Sequence, residues 1–196
     1  MAGIARIIIT DQTNGRGSWR FRDSQKLQPS ADTRYRQVFA TVGMPLADGI
    51  EHIRCTKDEF EAGYDCAFGV DVILTLETGQ QMTMQEKFLF TKYNTVTVEF
   101  HQDWRAGTQG DWFNLRCQYY FVGYDFPKTC HRFSNWILLD WPAVVKLTGQ
   151  GAVGWRVRQN TRDGARADFK YATFDAFPSE CIVARMGQLQ HSLFGG

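Results

Sequence analysis

The sequence predicts an α+β fold, a mixed central β-sheet with flanking helices, in which strand outweighs helix. Two observations carry this prediction. Short β-branched and alternating runs recur from residue 70 onward, separated by glycine turns, and only a few stretches carry helix caps and stops. With 196 residues, 43% hydrophobic and 22% charged, the chain suits one compact domain spanning 1–196. An aromatic content of 14% excludes a disordered chain.

The elements follow in chain order. Residues 4–10 read as a strand, being too short an apolar run for a signal sequence. Residues 11–29 are polar, contain Gly15 and Gly17, and read as a loop. Residues 31–42 have helical character, with Ser30 or Asp32 as cap and Gly43-Met44-Pro45 as stop. Thr56 and Glu59 form a capping box that opens a short helix closed by Gly63. Residues 70–76 and 82–90 form a hairpin around Thr78-Gly79. Further strands are expected at 95–100, 119–124 and 136–139. Asp140-Trp141-Pro142 opens a helix that ends near Gly149. Residues 156–161 and 166–173 flank Asp163-Gly164, a second hairpin signal, and 181–185 make a last strand. The aromatic-rich second half, 95–185, is most simply core.

Net charge is +1, so overall composition does not call for a nucleic-acid partner, but the distribution is uneven. Arg16, Arg20, Arg22, Lys26, Arg34 and Arg36 make residues 16–36 basic, and Arg156, Arg158, Arg162, Arg166 and Lys170 do the same for 156–170. Residues 48–65 are acidic. Basic ends around an acidic middle fit a metal site flanked by phosphate-binding surfaces, and fit an ordinary mixed surface equally well. Five cysteines without paired spacing read as free thiols in a reducing cytoplasm. No apolar run approaches a membrane span, so no membrane partner is expected.

The central hairpin is the informative region. Side chains alternate faces along a strand, so Val72, Leu74 and Leu76 share one face while Asp71, Ile73 and Thr75 share the other. On the second strand Met82, Met84, Glu86 and Phe88 oppose Thr83, Gln85, Lys87 and Leu89. Matching the apolar faces pairs Val72 with Met84 and Leu74 with Met82, and so sets Asp71 opposite Gln85. Turn chemistry gives the same register independently: a three-residue loop of Glu77, Thr78 and Gly79, with Gly79 left-handed, sets Leu76 opposite Gln80. An Asp carboxylate, a Gln amide oxygen and a Lys ammonium then converge on one face. Two oxygen ligands suit Mg²⁺, and an adjacent ammonium stabilises charge on a phosphate. The plain alternative is the solvent-facing side of an ordinary hairpin.

Gly69-Val70-Asp71, a strand, a glycine turn and Gln85-Glu86-Lys87 resemble the core of PD-(D/E)XK, or restriction-endonuclease-like, nucleases. The resemblance covers residues 56–92 and implies a restriction-endonuclease-like core with extra strands. It places Asp71 in the metal-binding Asp role, Gln85 at the Asp/Glu position and Lys87 at the Lys position. Gln85 departs from the family pattern by removing a negative charge from the metal site. Val70 stands where the family has its nominal Pro. By the same resemblance an upstream acid completes the metal site; Asp65 is preferred, with Glu59 as the other candidate beside its capping-box reading. Glu86 falls on the apolar face, which calls for a basic partner or a local bulge that turns it to the metal, and joins the catalytic candidates.

The candidate nucleic-acid contacts are Lys92, Arg156, Arg158, Arg162 and Arg166, together with Arg20 and Arg22 around Trp19 and Phe21. Each also reads as a solvated strand end, a mixed-charge face or a core-anchored loop. No Ser/His/Asp set, phosphate-binding glycine loop or zinc spacing stands out. The expected function is therefore a Mg²⁺- or Mn²⁺-dependent endonuclease acting on DNA, with RNA left open, of restriction, repair, mobile-element or phage type. A second copy of the chain is an expected partner, since two active sites cut two strands. The alternatives are a binding module without cleavage and a viral structural protein containing such a hairpin.

Overall fold

The computed structural model describes residues 18–53, 69–160 and 166–189. The expected strand at 4–10, the capping box at Thr56 and Glu59, and the second hairpin's turn lie outside the described residues. Among the described residues the fold is mixed α and β, with two sheets and few helices.

Helix α1 spans Ser18–Thr41 and corrects one expectation. The polar stretch before Pro29 is helical from residue 18 rather than a loop, and Pro29 lies inside the helix. Proline removes one internal hydrogen bond, but tertiary burial outweighs that loss. Leu27, Ala31, Tyr35, Val38, Phe39 and Val42 fall on one helical stripe and are all buried. Asp32 is accordingly not a cap. Gly43, at φ +78°, ends the run where a left-handed residue is needed.

Strands β1 (Leu46–His52), β2 (Val72–Leu76) and β3 (Gln81–Leu89) follow in antiparallel order. The β2–β3 register is the expected one, with Val72 paired to Met84 and Leu74 to Met82. Gly79 closes the turn at φ +84°. The chain continues through β4 (Thr95–Asp103), β5 (Thr108–Gln109) and the short helix α2 (Asp111–Asn114). It then forms β6 (Tyr119–Tyr124), β7 (Asn135–Asp140) and helix α3 (Trp141–Gly149). The Asp140 side chain caps α3 by accepting from the Ala143 amide at 2.9 Å. Strands β8 (Arg156–Gln159), β9 (Asp168–Thr173), β10 (Ile182–Arg185) and β11 (Gln188–Leu189) complete the order.

Among the described residues the larger sheet has seven strands in the order β1-β2-β3-β6-β7-β10-β11, and its β3–β6 pair is parallel. The smaller has four, in the order β5-β4-β9-β8. Alternation along β6 divides the interior in two. Phe121 points to a core with α1, β2 and β3, while Tyr120, Val122 and Tyr124 point to a second core with β4, β9 and α3. The central sheet is thus covered by helix α1 on one face and largely by a second sheet on the other. No helix among the described residues is long and apolar enough to cross a membrane.

Candidate active site

Asp71 sits where β1, β2 and β3 come together. Its amide donates to Met84 O at 2.9 Å, and its carbonyl accepts from the Ile53 amide at 2.7 Å. The turn before it requires glycine: Gly69 has φ +57°, and a Cβ there would lie 2.4 Å from Leu115 Cδ2. The flanking Val70 and Val72 are buried.

The pairing that sets Val72 opposite Met84 carries Gln85 to Asp71. Gln85 Nε2 donates to Asp71 Oδ2 at 2.5 Å, and the Glu86 amide donates to the same oxygen at 2.8 Å. β2 begins only at Val72, so the Glu86 amide of β3 donates to a side-chain oxygen in place of a β2 strand partner. Gln85 Oε1 is buried and has no hydrogen-bond partner among the described residues. Leaving a buried amide oxygen unpaired costs about 1–3 kcal/mol.

Lys87 lies two residues further along the face that carries Gln85. Its ammonium donates to Thr97 O of β4 at 2.9 Å and lies 5.7 Å from the Phe169 ring centroid. Burial lowers its pKa, while the negative charges of Asp111, Glu99 and Asp71 oppose that shift. The structure therefore brings Asp71 and Gln85 into direct contact and sets Lys87 beside them, braced by the second sheet.

Glu86 points the other way, toward α1. Its Oε1 accepts from Tyr35 OH at 2.6 Å and its Oε2 from Gln28 Nε2 at 2.6 Å. His52 Nδ1 is 4.0 Å from Oε2. Gln28 Nε2 also lies 2.9 Å from His52 Nδ1, and His52 Nε2 is 3.1 Å from Asp32 Oδ1. Burial raises the Glu86 carboxyl to about 7, against the pull of Tyr35, His52 and Gln28. Both hydrogen-bond donors to the Glu86 carboxylate, Tyr35 and Gln28, are thus neutral, where a basic partner or a bulge was expected. A cavity of about 320 Å³ opens beside this part of β3, lined by Gln28, His52, Asp71, Gln85, Glu86 and Lys87 among others.

Gln28, Tyr35 and His52 were not singled out from sequence. The available signal was Glu86 itself, whose place among Met84 and Phe88 required donors from a covering helix. Asp65, Glu59 and Arg162 lie outside the described residues, as do the side chains of Arg20 and Arg22, whose backbones belong to α1 rather than a loop. Lys92 is exposed between β3 and β4. Arg156 and Arg158 are exposed on the edge strand β8, where Arg158 pairs with Phe169, the residue beside Lys87. Arg166 is exposed and ion-paired to Asp103 at 3.2 Å.

No group of three His, Cys, Asp or Glu residues able to hold a metal gathers among the described residues. The Asp71–Gln85 pair is nevertheless compatible with a hard cation, because it supplies one carboxylate and one buried amide oxygen lacking a partner. Comparison with known proteins finds no matching family model, curated protein or solved structure.

Proposed function

We propose that this chain is a divalent-metal-dependent nuclease that hydrolyses DNA phosphodiester bonds, built on a PD-(D/E)XK-like hairpin. The observation that carries the reading is the contact between Asp71 and Gln85, with Gln85 Oε1 left unpaired and Lys87 on the same face. Asp71 and the Gln85 amide oxygen would hold Mg²⁺ or Mn²⁺, with Asp65 or Glu59 as the additional acid. When bound, such an ion polarises a phosphoryl oxygen and lowers the pKa of water. Lys87 supplies a fixed positive charge for the scissile phosphate, held in place by Thr97 O and the Phe169 ring. Exposed Arg156 and Arg158 continue from Phe169 and would grip the nucleic-acid backbone. Restriction, repair, mobile-element and phage roles share this chemistry, and a second copy of the chain would supply the cut in the other strand.

One observation favours a second reading, a nucleic-acid-binding module without cleavage. The Gln85 amide is neutral and already donates to Asp71, so that carboxylate has a partner without a metal. Incubation of the purified protein with supercoiled and linear DNA and Mg²⁺ or Mn²⁺ separates the two. The nuclease reading predicts metal-dependent cutting that falls by roughly a hundredfold or more in Asp71→Ala and in Lys87→Ala. Binding without cutting supports the module, and neither activity sinks both readings.

A further inference from the structure

We infer that Glu86 is a positioning residue, clamped by helix α1, that holds the Asp71 carboxylate in place. The inference rests on the reading of Asp71 as a metal ligand. Glu86 connects the two through different atoms. Its side chain is fixed by Tyr35 OH at Oε1 and Gln28 Nε2 at Oε2, both at 2.6 Å. Its backbone N–H, on the opposite side of the same residue's chemistry, donates to Asp71 Oδ2 at 2.8 Å.

The local topology makes this link necessary. β3 runs to Leu89, but β2 begins only at Val72, opposite Met84. Beyond that point the β2-facing edge of β3 has no β2 strand residue to pair with. Asp71 completes the ladder with a side-chain oxygen, and the placement of that oxygen depends on where the Glu86 amide lies. On its other edge β3 is held by β6, with Glu86 paired to Phe121. The buried carboxylate, satisfied by two donors from one helix face, fixes the rotation of the strand at that residue. Tyr35 is itself immobilised, being fully buried and edge-on to Phe121 at 5.1 Å. Groups that orient metal ligands in this way matter, because their loss weakens metal affinity by about 10–100-fold.

The experiment compares wild type, Tyr35→Phe, Glu86→Gln and Val38→Ala, the last a buried α1 change that removes no hydrogen bond to Glu86. Amide hydrogen exchange is followed at Glu86 and Met84 without metal, and Mn²⁺ binding is measured by calorimetry. Tyr35→Phe and Glu86→Gln are expected to speed exchange at Glu86 by about tenfold relative to Met84. They are also expected to weaken Mn²⁺ binding by at least about tenfold. Val38→Ala should lower the melting temperature without either selective effect. Unchanged relative exchange at Glu86 in both clamp variants overturns the inference, whatever the metal does. Selective exchange in a protein whose wild type binds no Mn²⁺ keeps the clamp on Asp71 and instead overturns the metal-site reading.

Discussion

The two faces of β3 bury polar groups in opposite ways. Toward α1, Glu86 meets Tyr35, Gln28 and His52, and each carboxylate oxygen has a short hydrogen bond. Toward the second sheet, Gln85 leaves one oxygen unpaired and Lys87 holds its ammonium against a lone backbone carbonyl and a ring. Satisfied buried polar groups specify a structure, whereas unsatisfied ones are a reserve that a ligand can discharge. The helix face is therefore read as scaffold and the sheet face as site. Substitutions should separate the two, since stability ought to suffer on one side and activity on the other.

The largest effect is expected in the helix-side core. Phe121 contacts Tyr35, Phe88, Phe133 and Trp136 at centroid distances of 5.1–6.1 Å, all within that core. Phe121→Ala should lower unfolding free energy by about 3–5 kcal/mol, read from urea denaturation. A loss under about 1 kcal/mol would mean that this face is not the scaffold.

Next is the pH dependence of Glu86, whose carboxyl rises from 4.5 to about 7 through burial. Below pH 4.5 the group is protonated in folded and unfolded chains alike and is neutral in the balance. Between 4.5 and about 7 the folded chain keeps the proton that the unfolded chain releases, so stability falls as pH rises. Above about 7 the full loss, on the order of 3 kcal/mol, is in place. Glu86→Gln should remove this slope from melting curves recorded at pH 5 and pH 8. A slope equal to that of wild type would show that Glu86 is not the titrating group.

Gly123 tests the same core from β6. A Cβ there would lie 2.4 Å from Phe133 Cε1 and 3.0 Å from Phe121 Cε1. Gly123→Ala should cost about 1–3 kcal/mol through overpacking. The smallest stability change, and the one of opposite sign, belongs to the sheet face. Lys87→Met removes a charge whose burial is unfavourable and should raise stability by about 1 kcal/mol while abolishing metal-dependent cleavage. Strong destabilisation by Lys87→Met would make Lys87 a structural residue and erase the contrast.

Much of this arrangement was legible locally. The apolar match of Val72 and Leu74 with Met84 and Met82, together with Gly79, determined the register that brings Asp71 to Gln85. Asp140 and Pro142 marked the start of α3, and the bounds of β6 followed from its apolar run. What escaped the sequence was non-local or contrary to propensity. Pro29 and a polar lead-in concealed the first half of α1, which exists because Leu27 and its stripe are buried. Strand β1 lacks β-branched alternation, and its pairing shifts register between Leu46 and Ile50, where Gly49 has φ +88°. The parallel β3–β6 contact joins strands across intervening elements, and the bond from Lys87 to Thr97 O joins two different sheets, neither of which periodicity can register. The donors to Glu86 were hidden for the same reason, since they come from α1, more than fifty residues earlier in the chain.

The most direct measurement is the anomalous difference map of a crystal soaked in Mn²⁺. A peak is expected within about 2.0–2.3 Å of both an Asp71 carboxylate oxygen and the Gln85 amide oxygen, absent from Asp71→Ala crystals. A map with no peak at that pair, in crystals whose Asp71 and Gln85 retain their mutual hydrogen bond, would contradict it.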